Sequence, residues 1–345
     1  MKVLIVNNAV PFIWGGAEEL AANLAKALNG TKGVTAEILR VPFAWTPNER
    51  LIDEIFINKS MHLPNVDRMI GLKFPAYLMP HDHKTLWLLH QFRQAYDLRD
   101  AGQSPLGRDL ASLSIVEAIR RADNQCFAAC KRIFTNSPVT QDRLRRYNKH
   151  DSEVLYPPLN DAELFRHGAD GGYIFAGGRV SPGKRQRLLI EAMQYAGRDV
   201  RLVIAGPPES DAEAQELKQL VERMNLADRV TLKFGFLPRQ EIAELASNAR
   251  ACAYLPFDED SLGYVTMEAF ACGKAVLTTT DSGGLLEIVK HNQTGIVTEP
   301  TAEAIGAGLD VLYEASAARR LGQAAGAEWV RRSLTWSTTV ERLLS

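Results

Sequence analysis

Two consecutive α/β domains, each a doubly wound parallel sheet, are the fold class that the sequence predicts. Short apolar runs alternate with helix-period segments almost throughout, the pattern of right-handed βαβ units whose sheet is covered on both faces. The alternation restarts near residue 172, after VLYPPLNDAELFRHGADGG with its two prolines and closing Gly171 and Gly172. The 345 residues suffice for two domains of ordinary size.

In chain order, KVLIVNN at 2–8 reads as a buried strand. Residues 17–28 then place Ala17, Leu20, Ala21, Leu24 and Leu28 on one helical face. Further strands are expected at 35–43, 68–72, 86–90 and 131–136. In the second half they fall at 173–177, 201–205, 230–234, 251–255 and 275–280, with helical patterns between. The region 44–82, rich in proline and aromatics, reads as irregular, either anchored surface loops or a substrate-recognition segment. The domain boundary is expected at 160/161, with a second domain over 161–330 and a final segment over 331–345. Ligands of such sheets gather at the carboxyl ends of the strands, so two facing edges imply an interdomain cleft.

Composition narrows the class. The chain is 46% hydrophobic and 23% charged, with net charge -1, which gives no electrostatic reason to expect nucleic acid. Four cysteines, at 126, 130, 252 and 272, lack zinc-ribbon spacing and suit a reducing compartment. The opening MKVLIVNNAV reads as a strand rather than a signal peptide, and no run reaches the ~18 apolar residues of a membrane span. A cytoplasmic location is the expectation. QDRLRRYNKH at 141–150 gathers cations along one helix; a solvated face is the commoner outcome, peripheral contact with an anionic membrane face the alternative.

Three segments carry chemistry. In FAGGRVSPGKRQRLLIEAM (175–193) a strand ends at Gly177–Gly178, and Ser181 and Pro182 read as N-cap and first residue of a helix. Arg179, Lys184, Arg185 and Arg187 then crowd the positive end of that helix, an unfavourable placement that a bound anion such as a diphosphate would reverse. In VNNAVPFIWGGAEELAANL (6–24), Gly15 and Gly16 precede a helix with Glu18 and Glu19 in its first turn. The glycine amides admit close approach of a phosphate or polyol, or make a tight turn with ordinary acidic capping. The pattern is not G-x-G-x-x-G, which disfavours a nicotinamide dinucleotide. In PFDEDSLGYVTMEAFACGKAVLTTTDSGG (256–284), a strand ends at Pro256. Asp258, Glu259 and Asp260 come next, and Gly263 precedes a helix over Val265 to Ala271 carrying Glu268. Loop carboxylates accept from sugar hydroxyls, Glu268 can grip a vicinal diol, and the amides along Ser261, Leu262, Gly263 and Tyr264 can receive phosphate oxygens.

This last segment resembles the signature of retaining glycosyltransferases with the GT-B fold, specifically glycosyltransferase family 4 (glycosyl transferases group 1). Asp260, Gly263 and Glu268 match its two acids and intervening glycine. CGKAVLTTTDSGGLLEIV, with Gly283 and Gly284, matches the family's next strand and Gly-Gly turn. Arg179 and Lys184 match the family's diphosphate site, Gly15 and Gly16 its N-terminal loop, and His90 in LWLLHQ its central histidine. Trp336 resembles the terminal helix that returns to the first domain. Two positions depart: the first acid is usually Glu, with Glu259 one place earlier here, and Ala275 stands where proline is frequent. Either Glu259 or Asp260 is available to the sugar.

The resemblance implies transfer of a hexose from a UDP- or GDP-linked donor to a carbohydrate or lipid-linked acceptor hydroxyl, with retention, in polysaccharide or glycoconjugate synthesis. The N-terminal domain would face the acceptor and the C-terminal domain the donor. Arg179 and Lys184 would stabilise the leaving diphosphate without a metal or cofactor. Asp260 would hold the sugar, Glu268 the ribose, and Phe236 and Leu237 the base. His90 would lie near the sugar's reacting carbon or its primary hydroxyl; Gln91, Arg93 and Tyr96, which follow it directly in sequence, are candidates for the acceptor side. A GT-B phosphorylase, a sugar-nucleotide epimerase and a non-catalytic nucleotide-sugar-binding relative are the competing readings.

Overall fold

The computed structural model describes residues 1–12 and 14–345. The chain divides into two compact units, Met1–Pro158 with Leu334–Ser345, and Leu159–Ser333. Each is built on a six-stranded sheet in which every pairing is parallel.

The first unit runs β1 (Lys2–Ala9), α1 (Gly16–Asn29), β2 (Thr35–Pro42), α2 (Arg50–Ser60), β3 (Arg68–Lys73), β4 (Lys84–His90), α3 (Asp97–Asp100), α4 (Leu110–Ala129), β5 (Arg132–Thr135), α5 (Pro138–Asn148) and β6 (Glu153–Val154). Its strand order is β2-β1-β3-β4-β5-β6. Val3, Ile5, Leu20, Leu24 and Leu28 share one core, so the period-2 and period-3.6 apolar patterns of β1 and α1 meet face to face.

Region 44–82 departs from the irregular reading. It contains α2, whose Leu51, Ile55 and Asn58 are buried, and a 3-10 turn over Ala76–Leu78 that is buried throughout. Phe43, Phe74 and Phe92 pack edge-on or tilted within 6.0 Å of one another. Within the region Phe74 and Tyr77 anchor core, whereas Trp45 and Phe56 are exposed. β6 reaches the first residue of the proline-bearing segment 154–172, and Leu155 N–H donates to Thr135 O at 2.8 Å just beyond it.

Asp123, on α4, is fully buried, with Oδ1 accepting from Tyr77 OH and Oδ2 from Tyr96 OH, each at 2.8 Å. Burial outweighs these two donors and raises its pKa to about 8. The unfolded chain, with an ordinary Asp pKa of ~3.9, releases that proton much earlier. This group therefore contributes stability at low pH that is lost as pH rises from ~4 through about 8. Asp123→Asn keeps the shape without the charge and should flatten that part of the profile. Urea midpoints near pH 5 and pH 9 check it: wild type should lose more stability than the variant across that interval.

The second unit runs β7 (Ile174–Gly177), α6 (Gln186–Ala192), β8 (Leu202–Gly206), α7 (Asp211–Arg223), β9 (Val230–Phe234), α8 (Arg239–Ser247), β10 (Ala251–Ala253), α9 (Tyr264–Ala271), β11 (Val276–Thr279), β12 (Gly295–Thr298), α10 (Ala302–Tyr313) and α11 (Ala315–Arg332). Strand order is β12-β11-β10-β7-β8-β9. β7 to β9 are laid down in one direction, and the chain then returns to place β10 on the other side of β7. The loops leaving β7 and β10 consequently diverge, opening a crevice at the carboxyl edge between them. Finally α12 (Trp336–Leu344) packs in the first unit, Trp336 meeting Trp87 edge-on at 6.5 Å.

Candidate donor site in the second unit

The loop leaving β7 is not the helix start that its sequence suggests. Ser181 makes no side-chain cap; Pro182–Lys184 form a 3-10 turn, Arg185 takes a left-handed φ of 56°, and α6 begins only at Gln186. Arg185 explains the interruption. Its guanidinium donates to Leu255 O (2.7 Å), Pro256 O (2.8 Å) and Thr279 Oγ1 (3.1 Å), and makes a two-pronged pair with Asp281 (2.8 and 2.9 Å). It ties the β7 loop to the ends of β10 and β11, and is committed to structure. Arg187 is likewise engaged, by Glu191 and Glu216 at the surface. The four cations therefore do not form one cluster at a helix terminus.

Lys184 is different. Its Nζ donates to Tyr254 OH at 2.8 Å and pairs closely with Glu259 Oε2, and lies 5.2 Å from the centre of the Tyr254 ring. Tyr254 OH donates to the same Glu259 oxygen at 2.9 Å. Burial, then the Glu259 charge, pushes the Tyr254 phenol well above its usual pKa, so it stays a donor. An ammonium, a phenol and a carboxylate thus converge where the β7 and β10 loops separate. It is Glu259, one place before the strictly counted Asp260, that meets Lys184. Arg179 stands two residues beyond β7, half-buried, next to Gly178 at φ 99°.

Glycine geometry holds the acidic loop. Gly283 has φ 78°, and a Cβ there would lie 2.5 Å from Glu259 O; Gly284 N–H donates to that oxygen at 2.7 Å. Gly263 has φ 73°, with the Tyr254 ring 2.6 Å from where its Cβ would stand. These two glycines let the loop lie against both the Gly-Gly turn and Tyr254.

α9 starts at Tyr264 and carries Glu268, which is buried and accepts from Arg239 Nη1 at 2.5 Å. Arg239 also donates to Asn160 O at 3.2 Å and stacks over Phe165 at 4.5 Å. Arg239 escapes sequence reasoning because 29 residues separate it from its acid. Phe236 is exposed and Leu237 partly so, in the loop between β9 and α8. Leu262 is buried and Ser261 Oγ accepts from Gly263 N–H at 3.2 Å.

In the first unit, Gly15 is extended and caps α1, and its N–H is taken by Glu18 Oε2 at 2.9 Å. The acidic-cap reading of Gly15–Gly16 is the one realised for that amide. His90 ends β4, and its Nδ1 lies 2.6 Å from Gln91 O, an acceptor only, so Nδ1 holds the proton and Nε2 presents a lone pair. Burial and the nearby Lys73 lower its pKa to about 3, leaving it neutral across the physiological range. Gln91, Arg93 and Tyr96 are not an open lining: Gln91 Nε2 donates to Asn148 Oδ1, Arg93 pairs with Asp97, and Tyr96 belongs to the buried Asp123 group.

Two Rossmann-like units, each on a parallel six-stranded sheet, are the GT-B fold. Residues 162–327 match the family model described as glycosyl transferases group 1, and the second unit belongs to that family. The D-inositol 3-phosphate glycosyltransferase of Geodermatophilus obscurus is 33% identical over 252 residues, 65% of this chain and 53% of that protein. The GDP-mannose-dependent alpha-(1-6)-phosphatidylinositol monomannoside mannosyltransferase of Mycobacterium tuberculosis is 31% identical over 178 residues, 48% and 44% of the two chains. This chain spans about half the length of the curated relatives it matches. Among solved structures, Anabaena HepE in complex with UDP and glucose superposes with a TM-score of 0.70 at 18% identity, covering 100% of this chain and 98% of that one. Sucrose-phosphate synthase from Thermosynechococcus elongatus gives 0.76 at 18%, covering 99% and 97%. Among the described residues, no helix is long and apolar enough to cross a membrane.

Proposed function

We propose that the chain is a retaining glycosyltransferase that moves a hexose from a UDP- or GDP-linked donor to an acceptor hydroxyl. The observation that carries this reading is the Lys184–Tyr254–Glu259 group at the strand-order reversal of a group 1 glycosyl transferase domain. On donor binding, Lys184 exchanges its carboxylate for a diphosphate oxygen, and Arg179 adds a second charge. Glu259, released from the ammonium, accepts from sugar hydroxyls together with Asp260. Glu268 takes the ribose diol, and Phe236 and Leu237 flank the base.

In the transfer the anomeric C–O bond to the diphosphate breaks as the acceptor oxygen bonds to the same carbon. The acceptor proton passes to a phosphate oxygen, so no protein base is required. Fixed cations placed where negative charge grows lower the barrier without reorganising. His90, neutral with Nε2 open as an acceptor, suits a hydrogen bond from a hydroxyl of the donor sugar or the acceptor rather than proton donation. The acceptor is a carbohydrate or lipid-linked hydroxyl.

A thermal-shift screen against UDP-, GDP- and ADP-sugars tests this, because specific binding raises the midpoint by mass action. One donor should stand out, and transfer from it should persist in EDTA, since Lys184 and Arg179 take the place of a divalent ion. A flat screen would overturn the enzyme reading, and activity lost in EDTA and restored by Mg²⁺ would overturn the metal-independent one.

A further inference from the structure

The second sheet has another concavity at its opposite edge, where the strands begin. A pocket of about 520 Å³ lies among the segment leading into β7, the residues just before β10 and β11, and the first half of α11. Its wall carries Lys274, which is only 4% exposed. Among the described residues, no hydrogen bond or ion pair reaches the Lys274 ammonium. Burial takes in the stem of this side chain, while its Nζ opens into the pocket, where a bound anion would supply a counter-charge. Burial also lowers its pKa from the usual lysine range.

The neighbours supply that charge only in part. Asp170 is the one carboxylate lining the pocket, and Arg250 Nε already holds both its oxygens, at 2.9 and 3.1 Å, while Gly172 N–H donates to Oδ1 at 2.9 Å. A second Arg250 donor, Nη1, is spent on Tyr313 O at 2.7 Å. Arg319 projects from α11 into the same lining and has no acid partner among the described residues. His167 Nδ1 faces Cys272 O at 3.3 Å, which leaves Nε2 available. Lys274 and Arg319 therefore give the pocket an uncompensated positive character, and its volume exceeds what a bare inorganic anion fills.

We propose that this pocket binds a phosphate ester, the phosphoryl group on Lys274 and Arg319 and the organic part against Gly168, Ala249 and Ala318. The two sites lie at opposite edges of one sheet, so an ester here does not compete with a nucleotide at Lys184. Neither Lys274 nor Arg319 belongs to the proposed donor site, so the failure of either reading leaves the other standing.

Isothermal titration of the full chain with glucose 6-phosphate, and separately with inorganic phosphate, tests it. Wild type should bind the ester saturably and at least about tenfold more tightly than free phosphate. Lys274→Met should abolish binding, and Arg319→Ala, at an exposed position that cannot threaten the fold, should weaken it by about tenfold. Lys184→Ala should leave it unchanged, which separates this site from the diphosphate site. Absence of saturable binding of either probe at millimolar concentration, or binding unaltered in both Lys274→Met and Arg319→Ala, would overturn the proposal. Equal affinity for the two probes would overturn the ester and leave free phosphate as the occupant.

Discussion

Lys184→Ala should lower kcat by ~10²–10³, or about 3–4 kcal/mol of transition-state stabilisation, the usual scale for removing one charge-stabilising donor from a preorganised site. The ammonium is held by Tyr254 OH and Glu259 rather than by the core, and its side chain keeps 27% of its exposure, so the fold should survive the change. Tyr254 OH still satisfies Glu259 in its absence. The decisive signature is a fall in kcat and kcat/KM together with a near-constant melting temperature, because the interaction strengthens as the diphosphate departs. Unchanged turnover would remove the leaving-group role, whereas a large loss of melting temperature would recast Lys184 as a structural pin. Arg185, one residue on, makes the contrast: its pairing with Asp281 and the strand-end carbonyls predicts the stability phenotype that Lys184 lacks.

Glu268→Gln carries the second large effect. The side chain is 6% exposed and accepts from Arg239 at 2.5 Å, so the amide keeps the volume and removes the charge. If the carboxylate grips a ribose diol in ground state and transition state alike, donor KM should rise by ~10–100-fold with kcat little changed. Arg239 retains Asn160 O and the Phe165 face, which limits the cost of leaving it without its acid. Steady-state kinetics with the donor found in the screen provide the check. An unaltered KM beside a lowered melting temperature would make the pair purely structural.

Much of the fold was legible because parallel strands buried on both faces read as apolar runs, whatever their neighbours are. That covers β1 to β5 and β7 to β11 to within about two residues at most ends. The elements that escaped were short or non-local. β6 has two residues, too few for a period to declare itself; β12 is as long as β7 and β11 yet lies after them at the sheet edge beyond the last strand expected; and α2 sits among prolines and aromatics that read as loop. In the candidate site, the acids and glycines of 258–284 announced themselves by composition. The turn before α6 did not, since a left-handed Arg185 is dictated by acceptors 70 to 96 residues away. Arg239 was invisible for the same reason. The Gly15 cap was foreseeable from Glu18 three residues on, the position from which a carboxylate reaches back to the N-cap amide.

The residence of α12 in the first unit bears on how the molecule is made. Leu334–Ser345 emerge from the ribosome only after all of Leu159–Ser333, yet they supply Val340 and Leu343 to the core that β1 and α1 begin. The first unit must therefore wait, incompletely covered around Trp87, until Leu334–Ser345 have been made, while the second unit has all its own strands in hand beforehand. Of the two units, the one begun first is thus the one sealed last.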